Sequence, residues 1–350
     1  MAIEIIGTGR AVPSRRMSND ALATLLAARI DTSDEWIRSH TGIGNRFFAD
    51  EDTACSDLAA EAAKNALAMA AAYTGDCPDE RERAARGVAE TIDIIILGTA
   101  TPDFIGSPST ACIVQDKLGA RNAAAMDISA GCTGFIYGLE TAACMLNAST
   151  GRKRALVIGA ELLSRALNWD DRGTCVIFGD GAGAAVIERT ETPGHERRGL
   201  LRSVLGADGS GAANLLFRRG GSRFPFKPGE TIDKPVHVEM KGQEVYYFAV
   251  KALCETIEEL LAMEGIAIND VKWIIPHQAN VRIIQSAAKT LKIPLEKFYL
   301  NIEEYANTSA ASIPIALDEL NRSKRLAKGD LLITAGFGGG FTYGGNIIVW

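Results

Sequence analysis

Cys132 lies in Met126-Asp-Ile-Ser-Ala-Gly-Cys-Thr-Gly-Phe135, where an extended segment gives way to a long apolar helix. A thiol at a helix N-terminus faces unpaired N–H groups and the positive end of the dipole. Both favour the thiolate, the form that attacks a carbonyl carbon. Ser129, Ala130, Gly131 and Gly134 crowd around it, as a tight strand-to-helix turn open to a substrate requires. On its own, the segment fits a buried, inert cysteine equally well. His277, in Ile275-Pro-His-Gln-Ala-Asn280, follows an apolar strand at a place where α/β folds carry functional loops. Asn307, in Tyr305-Ala-Asn-Thr-Ser-Ala, reads as a helix N-cap or a polar group in a site. Gly338-Gly339-Gly340 lacks the spacing of a phosphate-binding loop, so it is read as a tight turn.

The elements that would position these residues occur twice. Ile92-Asp-Ile-Ile-Ile-Leu-Gly and Val271-Lys-Trp-Ile-Ile-Pro both read as buried strands. Each leads to a helix, Ser109 to Leu118 and Asn280 to Leu291, then to an extended piece, Ala123 to Ile128 and Phe298 to Ile302. A small-residue helix follows, Cys132 to Leu146 and Asn307 to Leu320. Then come a strand (Ala155 to Gly159; Leu331 to Gly336) and a glycine-rich hairpin (Gly179 to Ile187; Gly338 to Val349). The helix from Cys132 carries one charge, Glu140, so it belongs between two sheets. The expected fold is α/β: five layers, αβαβα, built from two repeated halves. Residues 1–190 carry the cysteine, and residues 191–350 carry the His, the Asn and the glycine turn. Cys132 and Asn307 then hold equivalent places at the N-termini of paired central helices. Residues 188–230 read as an irregular surface linker and Ala70 to Arg86 as a helix end plus an exposed excursion.

Composition sets outer bounds. The chain has 350 residues, 47% hydrophobic and 23% charged, with a net charge of −6, which argues against nucleic acid as a main partner. Its seven cysteines (55, 77, 112, 132, 144, 175, 254) show no CxxC pair and no nearby histidines, so no disulfide framework or metal site is expected. The N-terminal residues lack a basic stretch followed by a long apolar run, and no apolar run is long enough to span a bilayer. A cytoplasmic protein with reduced thiols and no membrane partner is expected.

These residues carry a resemblance. Thr32-Ser-Asp-Glu-Trp-Ile, Thr41-Gly-Ile, Pro108-Ser-Thr-Ala, the cysteine turn, Asp171-Arg-Gly-Thr and Phe178-Gly-Asp-Gly-Ala-Gly come in order. His277-Gln-Ala-Asn, Asn307-Thr-Ser-Ala-Ala-Ser-Ile-Pro and Gly338-Gly-Gly-Phe-Thr-Tyr-Gly complete the set. In order and spacing, almost end to end, the chain resembles the β-ketoacyl-acyl-carrier-protein synthase III family, the initiating condensing enzymes of the thiolase superfamily. The resemblance implies an acyltransferase that joins an acyl-CoA primer to malonyl-acyl-carrier protein through an acyl-cysteine, starting fatty-acid synthesis. The family's triad falls on Cys132, His277 and Asn307, and its oxyanion hole on the N–H groups of Cys132 and Gly339. By the same resemblance, coenzyme A is held by Thr32, Trp36, Arg172, Gly242 and Asn280, and the carrier docks on Arg282 and Lys289. Phe104, Ser107 and Leu163 border the acyl pocket. The reaction implies no metal and no redox cofactor, and the family's habit implies a homodimer.

The chain also departs from the family. His40 stands where many members have arginine, Ala70 to Arg86 is long, and Thr101 to Thr110 has one extra residue. That insertion puts Ser107 before Pro108, where an aromatic residue is common. A longer or unusual acyl group, used in secondary metabolism, is therefore the second reading. A non-catalytic subunit is disfavoured by the retained triad, and a thioesterase by the lack of a carboxylate placed by motif to activate water.

Overall fold

The computed structural model describes residues 1–350 apart from 74, 76, 150, 192–196, 219 and 230–236. Its first sheet holds β1 (Ala2–Ala11), β2 (Ile94–Gly98), β3 (Ala124–Ile128), β4 (Arg154–Glu161) and β5 (Gly181–Thr190). Their order is β1-β5-β4-β2-β3, with β3, β2 and β4 parallel and β5 and β1 antiparallel to their neighbours. The second sheet holds β6 (Gly199–Ala207), β7 (Val271–Pro276), β8 (Leu331–Gly338) and β9 (Thr342–Val349), in the order β6-β9-β8-β7. Ile274 of β7 also forms a single parallel bridge to Phe298. The second sheet thus repeats the first, with its fifth strand shortened to one bridge. The extended piece expected at Phe298 to Ile302 is that remnant. Leu295–Lys297 forms a 3₁₀ turn on one side and Ile302–Tyr305 a helical turn on the other, which leaves little extended chain between them.

Each β-branched run is buried because both sheet faces are covered. All five residues of β2 are buried. One outer layer sets α1 (Cys55–Ala70) and α2 (Thr110–Leu118) on the first sheet, in a cluster that includes Ala59, Ala63, Val114, Ile95 and Leu97. Between the sheets lie α3 (Gly134–Asn147) and, later in the chain, α6 (Ser312–Arg322). Their cluster joins Phe135, Ile136, Ile313 and Leu317 to Ile96 and Val157 of one sheet and to Ile275 and Leu332 of the other. The second outer layer is α4 (Gly242–Glu264) and α5 (Val281–Leu291). Helix, sheet, helix, sheet, helix makes the five expected layers. Glu140, the lone charge of α3, lies at the middle of that helix.

Two regions differ from expectation. Gly199–Ala207, placed in a linker, is a sheet strand, and Leu215–Phe217 pairs with Val238–Met240. Edge position accounts for the misreading: β6 pairs only with β9 and is part-exposed, so its apolar alternation is broken by Arg202 and Ser203. Residues 192–196, 219 and 230, also in that stretch, lie outside the described residues. Within Ala70 to Arg86, Pro78–Ala89 is a helix, started by proline in its first turn. Most of its charges are exposed, Arg81 reaches Glu61 of α1 at 3.0 Å, and Ala85 and Ala89 are buried against α1.

Candidate active site

β3 delivers the chain to Cys132. After Ile128 the backbone makes a 3₁₀ turn, Gly131–Thr133, before α3 begins at Gly134, so the thiol stands just ahead of the helix. Gly131 has φ +52°, a region natural to glycine. The turn is tied down by Thr133 Oγ1 and Thr342 Oγ1, which donate to Ala130 O at 2.7 and 2.8 Å. The Gly338-Gly339 turn of the other half presses against it. A side chain on Gly338 would collide with the Cys132 backbone nitrogen, and one on Gly131 would come within 2.8 Å of Gly339 N. The two amides expected to form an oxyanion hole are therefore neighbours.

The thiol itself is not as expected. A helix terminus was expected to favour the thiolate, yet burial pushes the Cys132 thiol up to about 12, against smaller opposing hydrogen bonds from Ser309 and the Cys132 backbone. Desolvation outweighs the dipole here.

His277 follows β7, anchored by its own N–H donating to Ala335 O at 2.8 Å. Its Nδ1 lies 2.7 Å from Ser312 Oγ, and its ring meets Phe337 edge-on at 5.3 Å. Nε2 is buried with no protein partner among the described residues. Burial pulls its pKa down to about 3, so the imidazole is neutral at pH 7. Asn307 enters from a loop held to the first half: its N–H donates to Ile177 O at 3.1 Å and its carbonyl accepts from Gly179 N at 3.0 Å. Asn307 Oδ1 accepts the Ser309 N–H at 2.8 Å, which assigns the amide orientation and leaves Nδ2 as a donor. Flanking residues Ala306 (φ +58°) and Ser309 (φ +50°) are non-glycine residues in the left-handed region. Such strain costs on the order of 1–3 kcal/mol each and gathers at functional sites.

Cys132, His277, Asn307 and Gly339 all line one cavity of about 390 Å³. Trp36, Arg172, Gly242, Asn280 and Leu163 line it too. Arg172 Cζ stands 4.1 Å over the Trp36 ring, and His40 stacks on that ring with centroids 4.2 Å apart. Arg172 and Trp36 touch, so a base placed between them must part them. His40, read as a departure, is thus part of the tryptophan platform. Asn280 caps α5 and donates from Nδ2 to His40 O at 3.0 Å.

Other expected residues lie apart from this cavity. Thr32 does not line it, and its Oγ1 is buried with no protein partner among the described residues. Arg282 and Lys289 are exposed on α5, with Arg282 Nε donating to Ser39 O at 3.0 Å. Phe104 is 53% exposed and lines a second cavity of about 780 Å³ that shares Ala100, Ser129 and Phe217 with the first. Ser107 lines neither. Three residues without a role in the sequence reading are placed by the fold: Ser309, Ser312 and Glu161. The serines stand in the Asn307-Thr-Ser-Ala-Ala-Ser segment. Glu161 had one signal, as the lone acidic residue ending the apolar run that begins at Ala155.

Comparison with known proteins points to one family. A family described as 3-oxoacyl-[acyl-carrier-protein (ACP)] synthase III matches residues 126–209, and the C-terminal part of the same family matches 261–350. β-Ketoacyl-[acyl-carrier-protein] synthase III of Caldanaerobacter subterraneus is 47% identical, across 100% of this chain and 98% of its own. The crystal structure of 3-oxoacyl-[acyl-carrier-protein] synthase III from Aquifex aeolicus has a TM-score of 0.84 and 40% identity over 100% of both chains. A priming β-ketosynthase from the R1128 polyketide biosynthetic pathway has a TM-score of 0.84 at 30% identity, covering 99% of this chain and 96% of its own.

Proposed function

The chain belongs to the 3-oxoacyl-[acyl-carrier-protein] synthase III family, and on that premise we propose how its residues carry out the condensation that starts fatty-acid synthesis. The observation that carries the reading is the convergence of Cys132, His277, Asn307 and Gly339, from four separate segments, on one cavity.

Acyl-CoA threads its pantetheine past Asn280 and Gly242, with its adenine against Trp36 and Arg172 by stacking and cation–π attraction. Thr32, which does not line the cavity, is assigned to this path by the family pattern alone. The Cys132 sulfur attacks the thioester carbon. The oxyanion that forms accepts the Cys132 and Gly339 N–H groups, and its collapse expels coenzyme A and leaves acyl-Cys132. Malonyl-carrier protein then enters and loses CO₂. The pair left on carbon makes an enolate whose oxygen accepts from His277 Nε2 and Asn307 Nδ2. Neutral donors suit this step, since each stabilises charge that appears only as the C–C bond breaks; such donors are worth roughly 3–4 kcal/mol apiece. The enolate carbon attacks acyl-Cys132 and the thiol is released. The cycle asks for no metal or redox cofactor.

The acidic carrier is expected on the exposed face of α5, where Arg282, Lys289 and Lys292 recur at helical spacing beside Asn280. A homodimer is supported by β3, an unpaired sheet edge, and by the exposed Phe104 and Ile105. No helix among the described residues is long and apolar enough to cross a membrane.

Primer choice has a second reading. Neither Ser107 nor Phe104 of this chain closes the cavity, and a polyketide-priming enzyme shares the fold, so a longer primer is the alternative. Intact-protein mass spectrometry with a panel of acyl-CoAs separates the two. An acetyl adduct, lost in Cys132→Ala, supports fatty-acid initiation. Adducts only from longer or branched acyl groups support the second reading, and no adduct from any of them would overturn both.

A further inference from the structure

Glu161 is the last residue of β4, fully buried, and does not line the catalytic cavity. A carboxyl so far from water needs hydrogen-bond donors to offset its lost hydration. The chain leaving β2 supplies most of them. Ala100 N donates to both oxygens, at 3.1 Å to Oε1 and 3.0 Å to Oε2. Oε2 also accepts from Thr101 Oγ1 at 2.7 Å and from Thr99 Oγ1 at 3.3 Å. Amides behind the two hydroxyls turn their protons this way: Thr101 Oγ1 accepts the Leu162 N–H at 2.8 Å, and Thr99 Oγ1 the Thr101 N–H at 3.0 Å. These groups all belong to the first half of the chain. One more partner comes from the second half: Ser309 Oγ donates to Glu161 Oε1 at 2.9 Å.

Ser309 in turn holds Asn307. Its N–H donates to Asn307 Oδ1 at 2.8 Å, and among the described residues the Asn307 side chain has no other hydrogen-bond partner. That bond fixes the amide plane, and with it the direction in which Nδ2 faces the cavity. Ser309 delivers its N–H from φ +50°, a backbone conformation that a serine keeps only when it is held there. A side chain on Gly159, two residues before Glu161, would collide with Ala310 O, so β4 and the turn after Asn307 lie in close contact.

We propose that Glu161 is a positioning residue for decarboxylation: through Ser309 it fixes the Asn307 amide so that Nδ2 meets the enolate oxygen. The inference rests on the condensing-enzyme reading and adds a residue to it. Glu161 stands outside the cavity and touches no substrate. Its part is to tie a strained turn of the second half to a strand end of the first. Acylation uses the Cys132 and Gly339 amides, which this chain of bonds does not include, whereas decarboxylation uses Nδ2. A misplaced donor is costly, since a shift of about 1 Å at a reacting group can lower a rate by about a hundredfold. A carboxylate suits the place because the groups bonded to it are all donors. Glutamine would turn an NH₂ group toward one of them.

The test is a double-mutant cycle on malonyl decarboxylation by acylated enzyme, followed in single turnover by mass as malonyl-acyl-carrier protein loses CO₂. Ser309→Ala keeps the backbone N–H and removes the tie to Glu161, and Glu161→Gln keeps the shape and replaces one acceptor by a donor. Each should slow decarboxylation by roughly tenfold to a hundredfold, and at least about fivefold more than it slows acyl transfer from acyl-CoA to Cys132. In an Asn307→Ala background no amide is left to aim. There, adding either substitution should change the residual rate by less than about twofold. Loosening of the fold alone would slow the Asn307→Ala enzyme by the same factor as wild type. That result, or wild-type decarboxylation by folded Ser309→Ala, would overturn the proposal. Ser309→Ala carries the test alone if Glu161→Gln does not fold. If wild type itself takes no acyl group from any acyl-CoA, the condensing reading fails, and the positioning role with it.

Discussion

Nδ1 of His277 and Oγ of Ser312 lie 2.7 Å apart, both buried, in a hydrogen bond whose direction is tied to the imidazole tautomer. Ser312 Oγ accepts the Gln278 N–H at 3.4 Å, and among the described residues its own hydroxyl proton has no acceptor in reach but Nδ1. The proton of the neutral ring is therefore assigned to Nε2, the atom aimed at the substrate. Ser312→Ala removes that donor. Malonyl decarboxylation by acylated enzyme should fall roughly tenfold to a hundredfold, while the acylation rate changes little. Separate single-turnover measurements of the two half-reactions check the split.

Gly338 tests the fit between halves. Its missing side chain is what lets the second half's turn lie against the Cys132 amide. Gly338→Ala should displace one or both oxyanion donors and lower acylation by about two to three orders of magnitude. Far-UV circular dichroism should stay as in wild type.

At the mouth of the cavity, Trp36 and Arg172 form one platform. Trp36→Ala should raise the KM for acyl-CoA by roughly tenfold and leave that for acyl-pantetheine, which has no adenine, nearly unchanged. Steady-state kinetics with the two donors makes the comparison.

Glu161 should also leave a mark on stability. Its carboxyl titrates near 7 in the folded chain and near 4.3 when unfolded. A raised acid binds its proton more tightly when folded, so its contribution is present at low pH and is lost as pH rises from about 4 to about 7. The loss is on the order of 3 kcal/mol. Glu161→Gln should therefore gain stability relative to wild type between pH 5 and pH 8, read as a Tm difference that widens with pH. A difference that stays constant would contradict the assignment.

Much of this was written in period and residue type. Two repeats of β-branched strands and small-residue helices implied five layers, and the apolar stretch from Cys132 had to lie between sheets. Cys132, His277 and Asn307 stood at element ends where function concentrates. What stayed hidden depends on contacts between distant residues. No spacing announces that Ser309 hydrogen-bonds Glu161, 148 positions away. The thiol's rise came from burial, which a helix-terminus argument does not weigh. The strand Gly199–Ala207 was missed because an edge strand shows only half of the usual apolar pattern.

The central claim is a division of labour: Cys132 carries the acyl group, while His277 and Asn307 drive decarboxylation. The most direct measurement loads His277→Ala and Asn307→Ala with an acyl-CoA, adds malonyl-acyl-carrier protein, and follows the acyl adduct by intact mass. Both variants should take up the acyl group and then keep it, whereas wild type clears it into product. Clearance at the wild-type rate by either variant would contradict the account.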